Sequence, residues 1–344
     1  MRTVGLFILT FLVTIVYSQE VRPVRDDVGY CWDQTQLTRL MNYLQSIETA
    51  PVEQNVIAGI SPHDDYMYAA RVYFPLFRSL KTKEVVIFGV THGTVRKEIG
   101  DPQNILLLDE FTQWRGPLHD IAVSPLRDYI KQHFDTSMFR VNNKAQILEH
   151  SIEGLVPFLQ YFNPDIRITP IMVTAMPYER MEVISEKLSS IISEYIRSKK
   201  LEIGKDIIFL MSSDANHYGT DFNNIPFGED STAHLKATTQ DRRIANDYLA
   251  NTVEPMKIQK LTDELKNVVW CGKFSIPFGL LTSEKVVKNV LGKKLTGKLL
   301  RYSDTFTEGV LPLKGTEMGT TAPFSLKHWC GFLSAVFYIE PIGR

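Results

Sequence analysis

The sequence predicts a single α/β domain with a central mixed, largely parallel sheet flanked by helices. Three observations carry that prediction. Val56–Ile60 and Val85–Val90 are short apolar runs of the length expected for buried strands. Tyr68–Leu80 between them has helical periodicity, so the order is strand, helix, strand, which is a parallel βαβ unit. Two further runs, Ile168–Val173 and Ile207–Met211, bracket a long helical stripe of Ile184, Leu188, Ile191 and Tyr195.

Taken in order, Met1-Arg2-Thr3 followed by the apolar run Val4–Val16 and the small Ser18 has the layout of a cleaved secretory signal over residues 1–18. This nearly unbroken run of thirteen residues falls short of the ~20 that span a bilayer, so no stable membrane insertion is expected after cleavage. The expected location is secreted or periplasmic. Thr35–Ile47 reads as an amphipathic helix through Leu37, Leu40, Met41 and Leu44. Ile152–Phe162, Leu235–Leu249 and Pro277–Val290 read as helices, and Phe332–Ile339 as a closing strand. The polar stretch Thr220–Thr232 reads as a long surface loop. Nothing resembles an interdomain linker, so residues 19–344 read as one domain.

Hydrophobic residues make up 44% and charged residues 22% of the 344, which excludes a disordered or fibrous chain. A net charge of −1 gives no field that would hold nucleic acid. Three cysteines are too few for a disulfide scaffold.

The polar residues at strand ends are the informative ones. His63 follows the first strand run, His92 follows the second, and Asp214 and His217 follow Ile207–Met211. In open α/β sheets ligands bind beyond the carboxyl ends of the strands, so these residues are delivered to one edge. Each also has an ordinary structural explanation. A strand-end histidine can be a hydrogen-bonded loop residue, Glu149 or Ser151 can cap the helix from Ile152, and Cys271 can be a buried apolar thiol. His119, His133, His234 and His328 have nothing near them in sequence that marks them as functional.

Five ordered segments together carry a resemblance. These are Pro62-His63 with Tyr66 and Tyr68; Gly89-Val90-Thr91-His92; Glu149-His150-Ser151-Ile152-Glu153 with Leu155, Pro157 and Phe158; Ser212-Ser213-Asp214 with His217-Tyr218-Gly219; and Cys271-Gly272 with Pro277. The chain resembles the Memo family, also called AmmeMemoRadiSam system protein B, over nearly all of residues 19–344. The resemblance implies a fold like that of the class III extradiol dioxygenases, with His63, His92 and Cys271 as ligands of a single metal ion. It implies that His150, Asp214 and His217 line the same pocket, with His217 as the acid/base residue. Asp64 and Asp65 stand where that family has small residues, and Gly93 where a second histidine often follows the first. One of the two carboxylates is expected to face the metal as partner to an imidazole N–H.

Two imidazoles and a thiolate suit Fe(II) or copper, with zinc a third choice. Three protein ligands leave coordination positions open, as catalytic sites do. The function expected is a non-haem iron or copper oxidoreductase acting on a small molecule or a modified peptide. The alternative is a non-catalytic copper, redox or peptide-binding protein. With Cys271 committed to metal, Cys31 and Cys330 are candidates for a disulfide.

Overall fold

The computed structural model describes residues 20–339, so the expected leader over residues 1–18 lies outside the described part. Nine strands form the main sheet: β1 (Ala58–Ser61), β2 (Glu84–Gly89), β3 (Leu106–Leu108), β4 (Phe139–Val141), β5 (Arg167–Val173), β6 (Ile207–Ser212), β7 (His217–Tyr218), β8 (Leu295–Asp304) and β9 (Trp329–Ile339). Their order is β7-β9-β1-β6-β2-β5-β3-β4, with β8 also paired to β9. The four central strands β1, β6, β2 and β5 are mutually parallel. Antiparallel pairing begins on both sides of them, at β9 against β1 and at β3 against β5. A separate three-stranded sheet joins Val21–Arg22, Gln113–Trp114 and Ile121–Ala122.

The strands at the centre are buried along their whole length, which is why they read as continuous apolar runs. Their period-2 alternation divides them between two cores. Val86, Phe88, Phe209 and Met211 pack with the helices Tyr178–Lys199 and Ser275–Leu291 on one face. Val85, Ile87, Ile208 and Leu210 pack with Gln34–Ile47, Tyr66–Phe77 and Val156–Phe162 on the other. The helix over Gln34–Ile47 starts where the Asp33 carboxylate accepts the Gln36 N–H, and it buries the four expected residues.

Several boundaries differ from the sequence reading for local reasons. Asp230 caps the helix Ser231–Ile244, moving its start four residues earlier than Leu235, and a π-helical turn over Ala245–Leu249 completes it. The expected loop contains a 3-10 turn at Thr220–Phe222. Strand β8 escaped the reading because Gly297, Lys298 and Arg301 interrupt its apolar residues and most of its middle is only half-buried. It is nevertheless paired with β9 over nearly its full length, with one register shift between Leu299 and Arg301. The Cys31–Cys330 disulfide is not present: all three cysteines are free thiols, Cys31 directs its Sγ to the Asp33 carbonyl at 3.5 Å, and Cys330 is bonded to Asp64. No described helix is long and apolar enough to cross a membrane.

Candidate metal centre

Because β1, β2 and β6 run parallel, their carboxyl ends share one edge of the sheet. The segments leaving that edge carry His63, His92 and Asp214. The ring centroids of His63 and His92 are 5.2 Å apart, and His150 joins them at 5.4 Å from His63 and 4.6 Å from His92, stacked on the latter at 8°. Two compact groups of potential ligand atoms result, each with its atoms within 4.8 Å of one another. One is His63, His92 and His150; the other is His63, Asp214 and Cys271. The three expected ligands are therefore divided between the groups, and His63 belongs to both.

The protons on two of the imidazoles are assigned by their partners. The Ser212 hydroxyl donates to the Ser151 carbonyl at 2.5 Å, so its oxygen is free only to accept. His63 Nδ1, 2.7 Å away, must therefore be the donor, which leaves Nε2 as a bare lone pair. Nε2 lies 3.4 Å from Cys271 Sγ and 3.3 Å from an Asp214 carboxylate oxygen. His92 is set in the same way: its Nδ1 donates to Glu149 Oε1 at 2.8 Å and its backbone N–H to Oε2 at 2.9 Å. Oε1 also accepts the N–H groups of His150 and Ser151, each at 2.9 Å. Glu149 is buried, which alone would raise its pKa, but the charge and hydrogen bonds of His92 outweigh burial and hold it ionised well below the carboxylate range. Burial likewise opposes charge on His92, and Glu149 again outweighs it, so that imidazole is drawn upward. His63 is pushed well down by burial and by its two imidazole neighbours. Oriented imidazoles with a carboxylate behind one of them are what metal-ligating histidines require.

The other side of the site is built from backbone. Cys271 Sγ accepts the Asp214 N–H at 3.0 Å, and Asp214 Oδ1 accepts the His63 N–H at 2.9 Å. Gly272 makes this approach possible, since a Cβ there would sit 2.2 Å from the Ser213 side chain. Both acids are shifted upward. Burial lifts Asp214 to about 7, and burial with the neighbouring Asp214 raises the Cys271 thiol well above its ordinary value.

Behind these donors the fully buried Asp241 carboxylate accepts Trp270 Nε1 at 2.8 Å, Tyr302 Oη at 2.7 Å and the Asn216 N–H at 3.4 Å. It thereby ties the segment before Cys271 to the segment before His217. His217 itself stands edge-on to Phe222, with centroids 5.1 Å apart, and its Nδ1 is buried without a hydrogen-bond partner. Burial and then His92 lower its pKa to about 4, so the ring is neutral near pH 7. A cavity of about 370 Å³ opens onto His63, His150, Asp214 and His217.

Of the expected site residues, all six are gathered at this edge, and some expectations about their neighbours are corrected. Neither Asp64 nor Asp65 bonds an imidazole N–H, because Ser212 and Glu149 occupy those positions. Asp65 instead accepts the Thr321 N–H at 2.5 Å and its hydroxyl at 3.0 Å. Glu149 is no helix cap, and the Ser151 hydroxyl accepts the Val90 N–H at 2.9 Å. Glu153, in the same segment as Glu149, is committed to an ion pair with Arg22 and to the N–H groups of Arg25 and Asp26. His328, set aside in the sequence, lines the cavity and stands 3.0 Å from Asp221, and His234 bonds Asp304. Arg22 had no sequence signal at all. Its buried guanidinium donates to the carbonyls of Gln146 and Glu149 at 2.9 and 2.7 Å and so holds the segment that presents Glu149 and His150.

A family profile described as "Memo-like protein" matches residues 28–309. A "MEMO1 family protein" of Desulfurococcus amylolyticus is 26% identical over 294 residues, covering 83% of this chain and 84% of that protein. One from Saccharolobus solfataricus is 29% identical over 241 residues, covering 68% and 72%. One from Thermococcus kodakarensis is 26% identical over 291 residues, covering 80% and 90%.

Proposed function

The chain belongs to the Memo-like protein family, and from that premise we propose that it is a metal-dependent oxidoreductase working with iron or copper on a small molecule or a modified peptide. The observation that carries this is the pair of preset imidazoles. Ser212 and Glu149 take the Nδ1 protons of His63 and His92, so both Nε2 atoms are available as ligands without rearrangement. The donor chemistry fits: His63, His92 and Cys271 would hold the ion, with Asp214 and His150 as the remaining donors of the two groups. Such a set suits Fe(II) or copper better than the hard, oxygen-seeking cations. A bound ion of this kind supplies one-electron chemistry and a Lewis acid beside the cavity.

The chain's own residues supply the rest. Glu149 fixes the orientation of His92, and Asp214 fixes the His63 backbone while facing its Nε2. His217, neutral and with Nδ1 unpartnered, is the group placed to accept a proton from a substrate hydroxyl or amine and return it. Phe222 packs edge-on against the same ring. The leader-like composition of residues 1–18 supports a location outside the cytoplasm.

The test is oxygen uptake by iron-loaded and copper-loaded protein with catechol-type and peptide substrates, beside His217→Ala. Turnover that the variant loses while keeping its metal supports the proposal. Tight Cu(I) binding with no turnover by either protein replaces it with a metal-carrier role.

A further inference from the structure

Two cavities meet at this site, and their walls carry ionisable groups of opposite kind, acids in one and bases in the other. The first, of about 370 Å³, has Asp26, Asp64, Asp65 and Asp214 in its lining and, among the described residues, no Lys or Arg. The second, of about 340 Å³, lies on the Cys271 side, with Arg96 and Lys273 in its lining and no Asp or Glu. His92, His217 and Phe222 line both and form the partition. A chain with a net charge of −1 has no overall bias that would sort its charges this way.

Resting on the metal-dependent reading above, we propose that the first cavity binds the ammonium group of an organic amine whose remainder is apolar or aromatic. Two of its carboxylates meet over Gly29, where only the missing side chain leaves room for both: a Cβ there would sit 2.3 Å from Asp65 Oδ1 and 2.9 Å from Asp26 Oδ2. Its aromatic wall is built as two ring pairs. Tyr68 meets Phe324 edge-on with centroids 5.6 Å apart, and Phe222 meets His328 at 4.6 Å. The Phe324 side is held in place, since Asp65 bonds Thr321 and the Tyr68 hydroxyl donates to the Ala322 carbonyl at 3.0 Å. Ring faces beside carboxylates attract an ammonium ion carrying hydrocarbon, whereas an inorganic dication needs six or more oxygen ligands that aromatic rings do not provide. His217, whose buried Nδ1 has no hydrogen-bond partner, lines this cavity as well. The second cavity, with its opposite lining, repels the same ligand. The amine is thereby directed to the histidine side of the site.

The test is calorimetric titration of the protein as isolated, and again after loading with redox-inert zinc, using three probes of like shape: 2-phenylethylammonium, 2-phenylethanol and phenylacetate. Expected is saturable binding of the ammonium, at least ~10-fold tighter than either of the others. Asp26→Asn keeps the oxygen that accepts the Val28 and Gly29 N–H groups but removes the charge, and it should weaken the ammonium ~10-fold. Phe324→Leu, at a half-exposed position, should weaken it several-fold. Equal affinity for the alcohol, preference for phenylacetate, no saturable binding, or displacement of the ammonium by millimolar Mg²⁺ or Ca²⁺ would each overturn the proposal. Amine binding that persists in a protein that takes up no metal would fail the metal reading and leave this one standing. Metal uptake without amine binding would fail this one alone.

Discussion

The imidazole side of the site and the thiol side are built on different principles. His63 and His92 are oriented by side-chain acceptors that take their Nδ1 protons, so their ligand atoms are ready before any ion arrives. Cys271 and Asp214 are placed by backbone N–H groups and a tight Gly272 contact, and burial holds both in favour of their protonated forms. On the first side burial keeps His63 neutral, and only His92, whose pKa Glu149 draws upward, competes with protons for an ion. Both groups of the second side must give up protons before they can bind. The imidazole half therefore sets geometry, and the thiol half adds most of the pH dependence of metal uptake.

The sharpest way to break that comparison is His63→Ala, because His63 belongs to both groups. Metal affinity should fall by more than ~100-fold, with the fold retained because two large cores flank the sheet. Metal analysis beside thermal unfolding reads both. Cys271→Ser comes next and separates the two sides. Cu(I) affinity should drop by ~100-fold or more and zinc affinity by less, since only the soft donor is lost. Full occupancy with every metal would make Asp214 the third ligand instead. Glu149→Gln should weaken metal binding by ~10–100-fold without removing any ligand, because an amide cannot accept all four N–H groups that the carboxylate holds. Ser212→Ala should cost ~10-fold, by freeing His63 to take the other tautomer. Either effect would be absent if the imidazoles were positioned by packing alone.

The smallest effect concerns Asp241, behind the thiol side. Burial raises its pKa to about 7, so the folded protein binds a proton that the unfolded chain releases near its ordinary value of ~4. The folded state gains from that proton at low pH, and stability drawn from this group declines as pH rises from about 4 to about 7. Asp241→Asn has no such proton, so the difference in unfolding midpoint between parent and variant should change across that window and stay flat above it. A constant difference would mean that Asp241 is ionised throughout.

Much of the fold was legible because the central strands are buried on both faces and so write themselves as unbroken apolar runs. The gathering of His63, His92 and Asp214 was legible for a related reason: parallel strands end on one edge, whatever packs around them. Cys271 was found by resemblance, since its approach to His63 depends on helix packing that leaves no periodic trace. Glu149 was visible as a residue but not as the partner of His92, a contact that spans 57 positions. Arg22 and Asp241 were invisible, because a buried charge reads in sequence like a solvated one. Strand β8 was missed for the opposite reason, being a true strand with half-exposed, mixed residues.

The placement of β9 bears on how the molecule comes into being. This strand is the last described segment of the chain, yet it pairs with β1, the first strand of the main sheet, and bridges it to both β7 and β8. During synthesis β1 therefore waits with an open edge until some 270 further residues have been made, so closure is a late, long-range event of the kind that folds slowly. Until it occurs, His217 on β7 has no strand to lie against. The donors from β1, β2 and β6 can assemble earlier, but the cavity they face is finished only by the final strand. A nascent or truncated chain that lacks β9 thus carries ligands without a completed pocket, and competence arrives only once that strand has docked.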